Sequence, residues 1–144
     1  MQAVAPAQFA ELSVVGVAYP AGAVADAGQA WPVEVYWQAG SAPRQAYKTA
    51  LVLWCADGRP GAQHDNYLPA GYPTVWWRPG QYGRDAHSLL LPEDLAPGAY
   101  ILTAGLYYFR NDDPAQLVSV GYQTAQGATG DSYPIGGVTV RAGP

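Results

Sequence analysis

An all-β fold is what this sequence predicts, and three observations predict it. The segment WPVEVYWQ, residues 31–38, alternates strictly: Val33, Val35 and Trp37 fall on one face, Glu34, Tyr36 and Gln38 on the other. Glycine and proline, 17 and 13 of them in 144 residues, interrupt every window long enough for three helical turns. The stretch LAPGAY, residues 95–100, sets a Pro-Gly turn before a tyrosine that opens a long strand. That is the signature of a tyrosine corner, in which the hydroxyl bonds back to backbone just upstream. With turn signals between seven or more short strands, these observations predict a single antiparallel β-sandwich over residues 1–144, of immunoglobulin or fibronectin-III type. A jelly roll or another sandwich is the alternative.

The elements follow in chain order. Residues 12–19, LSVVGVAY, form a short β-branched strand with Gly16 placed as a bulge. Residues 31–38 form the alternating strand. Residues 46–56, AYKTALVLWCA, are apolar on both faces, as in a central strand covered twice, with Leu51, Leu53 and Cys55 inward. Asp57-Gly58 turns the chain. Residues 58–84 then read as one long irregular loop, interrupted by prolines at 60, 69, 73 and 79. Its rings (Tyr67, Tyr72, Trp76, Trp77 and Tyr82) argue for packing rather than disorder. Pattern resumes at 85–92, with His87, Leu89 and Leu91 on one face. Residues 99–109 are a long strand with Tyr100, Leu102, Ala104 and Leu106 on one side. RNDDP at 110–114 turns the chain, and 116–122 pairs back as a hairpin. Residues 123–132 are polar and loop-like, and 135–142 supply the last strand.

Composition excludes several functions. Charged residues are only 12% of the chain, against roughly 25% in ordinary domains. Net charge is −4, Lys48 is the only lysine and the arginines are scattered, so the basic stripe needed to track a phosphate backbone is missing and nucleic acid is not an expected partner. One cysteine, Cys55, permits neither an internal disulfide nor a cysteine metal cluster, and it reads as a small buried hydrophobe. No run reaches the ~18 apolar residues of a membrane span, and no charged segment precedes an apolar one at the N-terminus.

With these elements placed, a further pattern stands out. A strand ends in Ala56-Asp57-Gly58-Arg59; Asp65 follows, then Pro69-Ala70-Gly71-Tyr72-Pro73-Thr74 and Trp77-Arg78-Pro79-Gly80, then Asp85 and the run from Leu95 to Tyr107. Over residues 45–141 the chain resembles an extracytoplasmic β-sandwich domain appended to bacterial membrane proteins of the dolichyl-phosphate-mannose mannosyltransferase type. The resemblance implies an extracytoplasmic location, periplasmic or at the cell surface, and an excised or separately encoded domain. It implies no catalytic residue.

The candidate chemistry is sparse. The two histidines, His64 and His87, lie near Asp65 and Asp85, and Asp85 and His87 share a strand face by period two. They can be drawn as a metal site or an acid/base pair, but the stronger reading is structural, with Asp65 and Asp85 accepting from loop backbone N–H groups. Ser88 next to His87 points to the opposite face, which breaks a catalytic triad. Asn111, Asp112, Asp113 and Asp131 read as turn residues rather than calcium ligands. No catalytic residue, metal or cofactor is expected. Within YPTVWWRPGQYGRD, residues 72–85, Trp76 and Trp77 face opposite sides if the segment is extended. Trp77 is assigned as a core plug, and Arg78 as a cation–π partner over a ring. Tyr72, Trp76 and Tyr82 are then either a ligand platform, with Arg78 beside it, or rings buried against the loop. The sequence thus reads as a non-catalytic accessory or binding module with a glycan or a protein as partner. The competing reading is a purely structural domain.

Overall fold

A computed structural model describes residues 1–143. The chain forms the strands β1 (Gln2–Phe9), β2 (Leu12–Ala18), β3 (Val24–Asp26), β4 (Ala30–Ala39), β5 (Lys48–Trp54), β6 (Pro60–Asn66), β7 (Tyr82–Leu90), β8 (Gly98–Phe109), β9 (Leu117–Val120), β10 (Tyr122–Thr124), β11 (Thr129–Gly130) and β12 (Tyr133–Arg141). They make two sheets, one ordered β11-β10-β1-β2-β4-β7 and the other β3-β12-β8-β5-β6, with β9 also on β8. This is the β-sandwich that the sequence predicts. Pairing is antiparallel except between β3 and β12, which run parallel.

The inward faces follow the sequence periods. Val33, Val35 and Trp37 of β4 are buried against Leu51 and Leu53 of β5, Leu89 of β7 and Leu102 and Leu106 of β8, in one core shared by both sheets. Val52, on the outer face of β5, is also buried, but with two sheets there is no second layer over that face, so the expected double covering is not formed. Cys55 lies past the end of β5 and is only partly buried against the core, so it is less enclosed than its alternation with Leu53 suggests. The register of β2 against β4 slips between Val14 and Gly16, which is the bulge predicted at Gly16. The tyrosine corner is formed: the Tyr100 hydroxyl donates to the Ala96 carbonyl at 2.6 Å.

Four segments differ from the sequence reading. The predicted irregular stretch begins with a strand, β6, paired along β5 from Thr49–Asn66 to Trp54–Pro60. Its sequence, PGAQHDN, is polar because it is an edge strand with only Ala62 buried, so the apolar alternation is missing. Pro60 opens it, where the absent N–H costs no ladder bond. The true loop is therefore 67–81. Strand β1, QAVAPAQF, has Val4 as its one β-branched residue and a proline in its middle, and it is held by pairing with β2 and β10. β3 is three residues long and is placed by β12. The polar stretch 123–132 contributes β11 and most of β10, so it is partly ordered as the edge of the first sheet.

Candidate functional site

Two features around the edge of the sandwich hold the sequence-predicted residues. The first is the loop 67–81, which carries the chain from β6 on one sheet to β7 on the other. Two short 3-10 turns shape it, at Pro69–Gly71 and Thr74–Trp76. Ala70 and Gly71 both have positive φ, 62° and 92°, which reverses the chain before Tyr72. Thr74 is fully buried: its Oγ1 donates to the Gln45 carbonyl at 2.7 Å and accepts from the Tyr47 N–H at 2.8 Å, tying the loop to the approach to β5. Trp77 is buried as the predicted plug. Its ring lies so close over Gly83 of β7 that a Cβ there would meet Trp77 at 2.1 Å, so only glycine fits. Trp76 reaches the opposite side from the end of a helical turn rather than from an extended segment, and it is 68% exposed.

Tyr72 and Trp76 come together. Their ring centroids are 6.4 Å apart and their planes 21° from parallel. Tyr72 is half-buried and accepts a short hydrogen bond from Gln81 Nε2, while Gln81 Oε1 accepts from the Arg78 backbone at 2.9 Å. Tyr82 does not join this pair. It stands on the outward face of β7, opposite Gln38 of β4, and is 64% exposed. Nor does Arg78 take its predicted place over a ring: among the described residues the cation–π contact is Lys48 over Phe109, at 5.1 Å. The proline at 79 and the turn closed by Gln81 N–H to Arg78 carbonyl direct the Arg78 side chain to solvent. The loop also exposes Tyr67, Leu68 and Val75.

The second feature is a polar cluster where β6 and β7, the edge strands of the two sheets, meet. Asp85 is fully buried. It accepts from Trp37 Nε1 at 3.2 Å, from Asn66 Nδ2 at 2.6 Å and from His87 Nε2 at 2.9 Å. Burial pushes its carboxyl up, but the hydrogen bond and charge of His87, with Thr49 and Asn66, outweigh it and hold the group below the usual carboxylate range. His87 Nδ1 lies 2.8 Å from His64 Nδ1. Burial, then the charge of His87, lower the His64 imidazole. Asp65 accepts from the Tyr107 hydroxyl at 2.6 Å and Gln63 Nε2 at 2.9 Å.

The two carboxylates thus hold strand side chains, from their own strands and from others, not the loop N–H groups the sequence reading gave them. Backbone donors here are occupied by ladder bonds of β5–β6 and β4–β7. The meeting of His64 with His87 was not readable, because it depends on β6 reaching across the sandwich edge. Only the shared face of Asp85 and His87 was visible, through the period of two. Ser88 is exposed on the other face of β7. At the β8–β9 connection the Asp113 carboxylate accepts from the Ala115 N–H and Gln116 Nε2, which is turn chemistry. Among the described residues, no group of three or more His, Cys, Asp or Glu side chains is arranged to hold a metal, and no helix is long and apolar enough to cross a membrane.

Neither a family model nor a curated protein matches the chain. Among solved structures it is similar to the C-terminal domain of Wzt, with 13% identity and a TM-score of 0.58 over 96% of this chain and 75% of that one. At that identity the likeness is one of fold: the sandwich architecture is shared.

Proposed function

We propose that this domain is a non-catalytic, extracytoplasmic module that binds a neutral glycan through the Trp76–Tyr72 pair. The observation that carries the reading is an indole 68% exposed yet nearly parallel to a second ring, on a loop anchored from below. Exposed apolar side chains grouped on one loop, here Tyr67, Leu68, Val75 and Trp76, favour an interaction surface over a packing role. Sugar rings present flat C–H faces that stack on such surfaces without charge, and the chain carries few charges. Buried Trp77, doubly bonded Thr74 and Gln81 fix the loop, which reduces the ordering cost of binding. Arg78 and Tyr82 lie outside the stacked pair and serve an extended ligand rather than the stacking face itself. The location rests on the resemblance to extracytoplasmic domains of mannosyltransferase-type membrane proteins. The non-catalytic reading is supported by the burial of Asp85 and His87 and by the outward turn of Ser88.

A protein partner is the second reading, favoured by the exposure of Tyr67, Leu68 and Val75 on the same loop. Calorimetric titration with a panel of neutral oligosaccharides separates the two. Heat of binding that is lost in Trp76→Ala and retained in Tyr67→Ala is the expected result. No heat with any sugar of the panel sinks the glycan reading.

A further inference from the structure

The cluster between β6 and β7 has a hydrogen-bond arithmetic that only some protonation states satisfy. His87 Nε2 faces the Asp85 carboxylate at 2.9 Å, so that nitrogen carries a hydrogen. The two Nδ1 atoms are 2.8 Å apart, a distance at which one hydrogen lies between them. The pair closes when both rings are neutral, with His64 donating to His87. It also closes with one added proton, because His64 Nε2 takes it and the shared hydrogen stays in place. A second added proton puts a hydrogen on each Nδ1, and the two N–H groups then point at each other. Nothing else at this spot rescues that state. From β5 the ring meets Thr49, whose hydroxyl is 3.4 Å from His87 Nε2 and carries no charge. From β6 comes Asp65, already bonded by Tyr107 of β8; from β7 comes Asp85, already bonded by three donors. Trp37 of β4 and Asn66 are neutral.

We propose that His64 and His87 form a proton-operated staple between the edge strands of the two sheets, closed with up to one added proton and opened by the second. Opening releases the end of β6, where Asn66 donates to Asp85 and to the Ala86 carbonyl and where the loop 67–81 begins. Acid therefore loosens the root of that loop while the core, which lies on the other side of Asp85, stays packed. The staple does not depend on what the loop rings bind.

The sign of the first protonation, which leaves the pair closed, follows from the direction of the His64 shift, and the second protonation, which opens it, comes at still lower pH. His64 binds its proton less readily in the folded chain than in the unfolded one. The stability it contributes is present above the ordinary imidazole value of about 6.5 and is lost as pH falls from there through the lower folded value.

The test is amide hydrogen exchange of residues 60–66 from pH ~8 to pH ~4, the range that brackets imidazole titration, corrected for intrinsic rates. Exchange protection is expected to drop about tenfold for each pKa unit separating the closed and open pair. In His64→Gln, which keeps a hydrogen-bonding group that does not titrate, the drop near the imidazole range is expected to vanish. An identical acid profile in His64→Gln assigns the response to the carboxylates and overturns the staple. So does unchanged protection of β6 in the wild-type chain. Nitrogen-15 shifts of the imidazoles give a second reading that needs no variant. His87 Nδ1 is expected to respond when His64 takes up its protons, and independent titration of the two rings refutes the contact.

Discussion

Two connections carry the chain into and out of β7, and both cross between the same two sheets. The one from β7 to β8, residues 91–97, is short: Leu91 N–H ties it to the Gln29 carbonyl, and two local bonds close it, Leu95 N–H to Pro92 carbonyl and the Tyr100 hydroxyl back to Ala96. One buried leucine, Leu91, anchors it, and its exposed residues include the charged Glu93 and Asp94. The one from β6 to β7, residues 67–81, is longer and anchored more heavily, by Trp77, Thr74 and the Asn66–Asp85 bond at its root, yet it leaves Tyr67, Leu68, Val75 and Trp76 exposed. Crossing the sandwich needs no more than the short connection uses. The difference is surface that closure does not require, and it is apolar, with two rings and two aliphatic side chains.

The comparison can be broken at the root of the long connection. Asp85→Ala leaves the donors of Trp37, Asn66 and His87 without their acceptor and is expected to cost about 3–5 kcal/mol in denaturant unfolding, as removal of one partner of a buried charged network does. Because the Asp85 carboxyl is held low in the folded chain, its contribution is present above the ordinary carboxylate value of about 3.9 and fades as pH falls through the lower folded value. The variant should therefore lack that part of the acid sensitivity. A stability within experimental error of the wild type would show that the cluster is ornamental.

The short connection offers a smaller effect. Tyr100→Phe removes one hydrogen bond to a backbone carbonyl and is expected to lower stability by about 1 kcal/mol, read as a shift in denaturation midpoint with unchanged m. An unmoved midpoint would mean that the corner is shaped by the Pro-Gly turn alone. The smallest effect falls on the exposed ring: Trp76→Ala should change stability by less than ~0.5 kcal/mol, as for surface positions without a structural task. A loss of several kcal/mol there would convert Trp76 into a packing residue and erase the contrast between the two connections.

What was legible follows local periodicity. The faces of β4, β7 and β8 and the tyrosine corner were all visible, because each is set by spacing along one strand or one turn. Trp77 was visible as the plug from its place in the motif, and Trp76 as the ring on the other side. The exact grouping of rings was not: Tyr82 belongs to the sheet face because β7 starts there, one residue after the turn that orients Gln81. Strands β1 and β6 were hidden for a shared reason. Both are partly exposed, β6 at a sheet edge and β1 between β2 and the short β10, and exposed positions permit Gln, Ala, Pro, His and Asp, so composition no longer signals a strand. The histidine contact is a product of β6 and was hidden with it.

Strand β8 has neighbours on both edges over most of its length: β5 on one side, from Ile101 to Tyr107, and β12 followed by β9 on the other. Its two edges draw partners from before and after it in the chain, and β1 likewise waits for β10 to set Tyr122 opposite Phe9. Such pairings close long loops before they gain contacts, which places domains of this kind in the millisecond-to-second range of folding times, roughly. On a ribosome the hairpins β1–β2 and β5–β6 can form as they emerge, but the second sheet has no centre until β8 is out. Until then the apolar face of β5 has no partner strand on its β8 side. A pause in synthesis before residue 98 exposes that face longest, so the interval just before β8 appears is the stretch of translation in which the nascent chain most needs shielding from its neighbours.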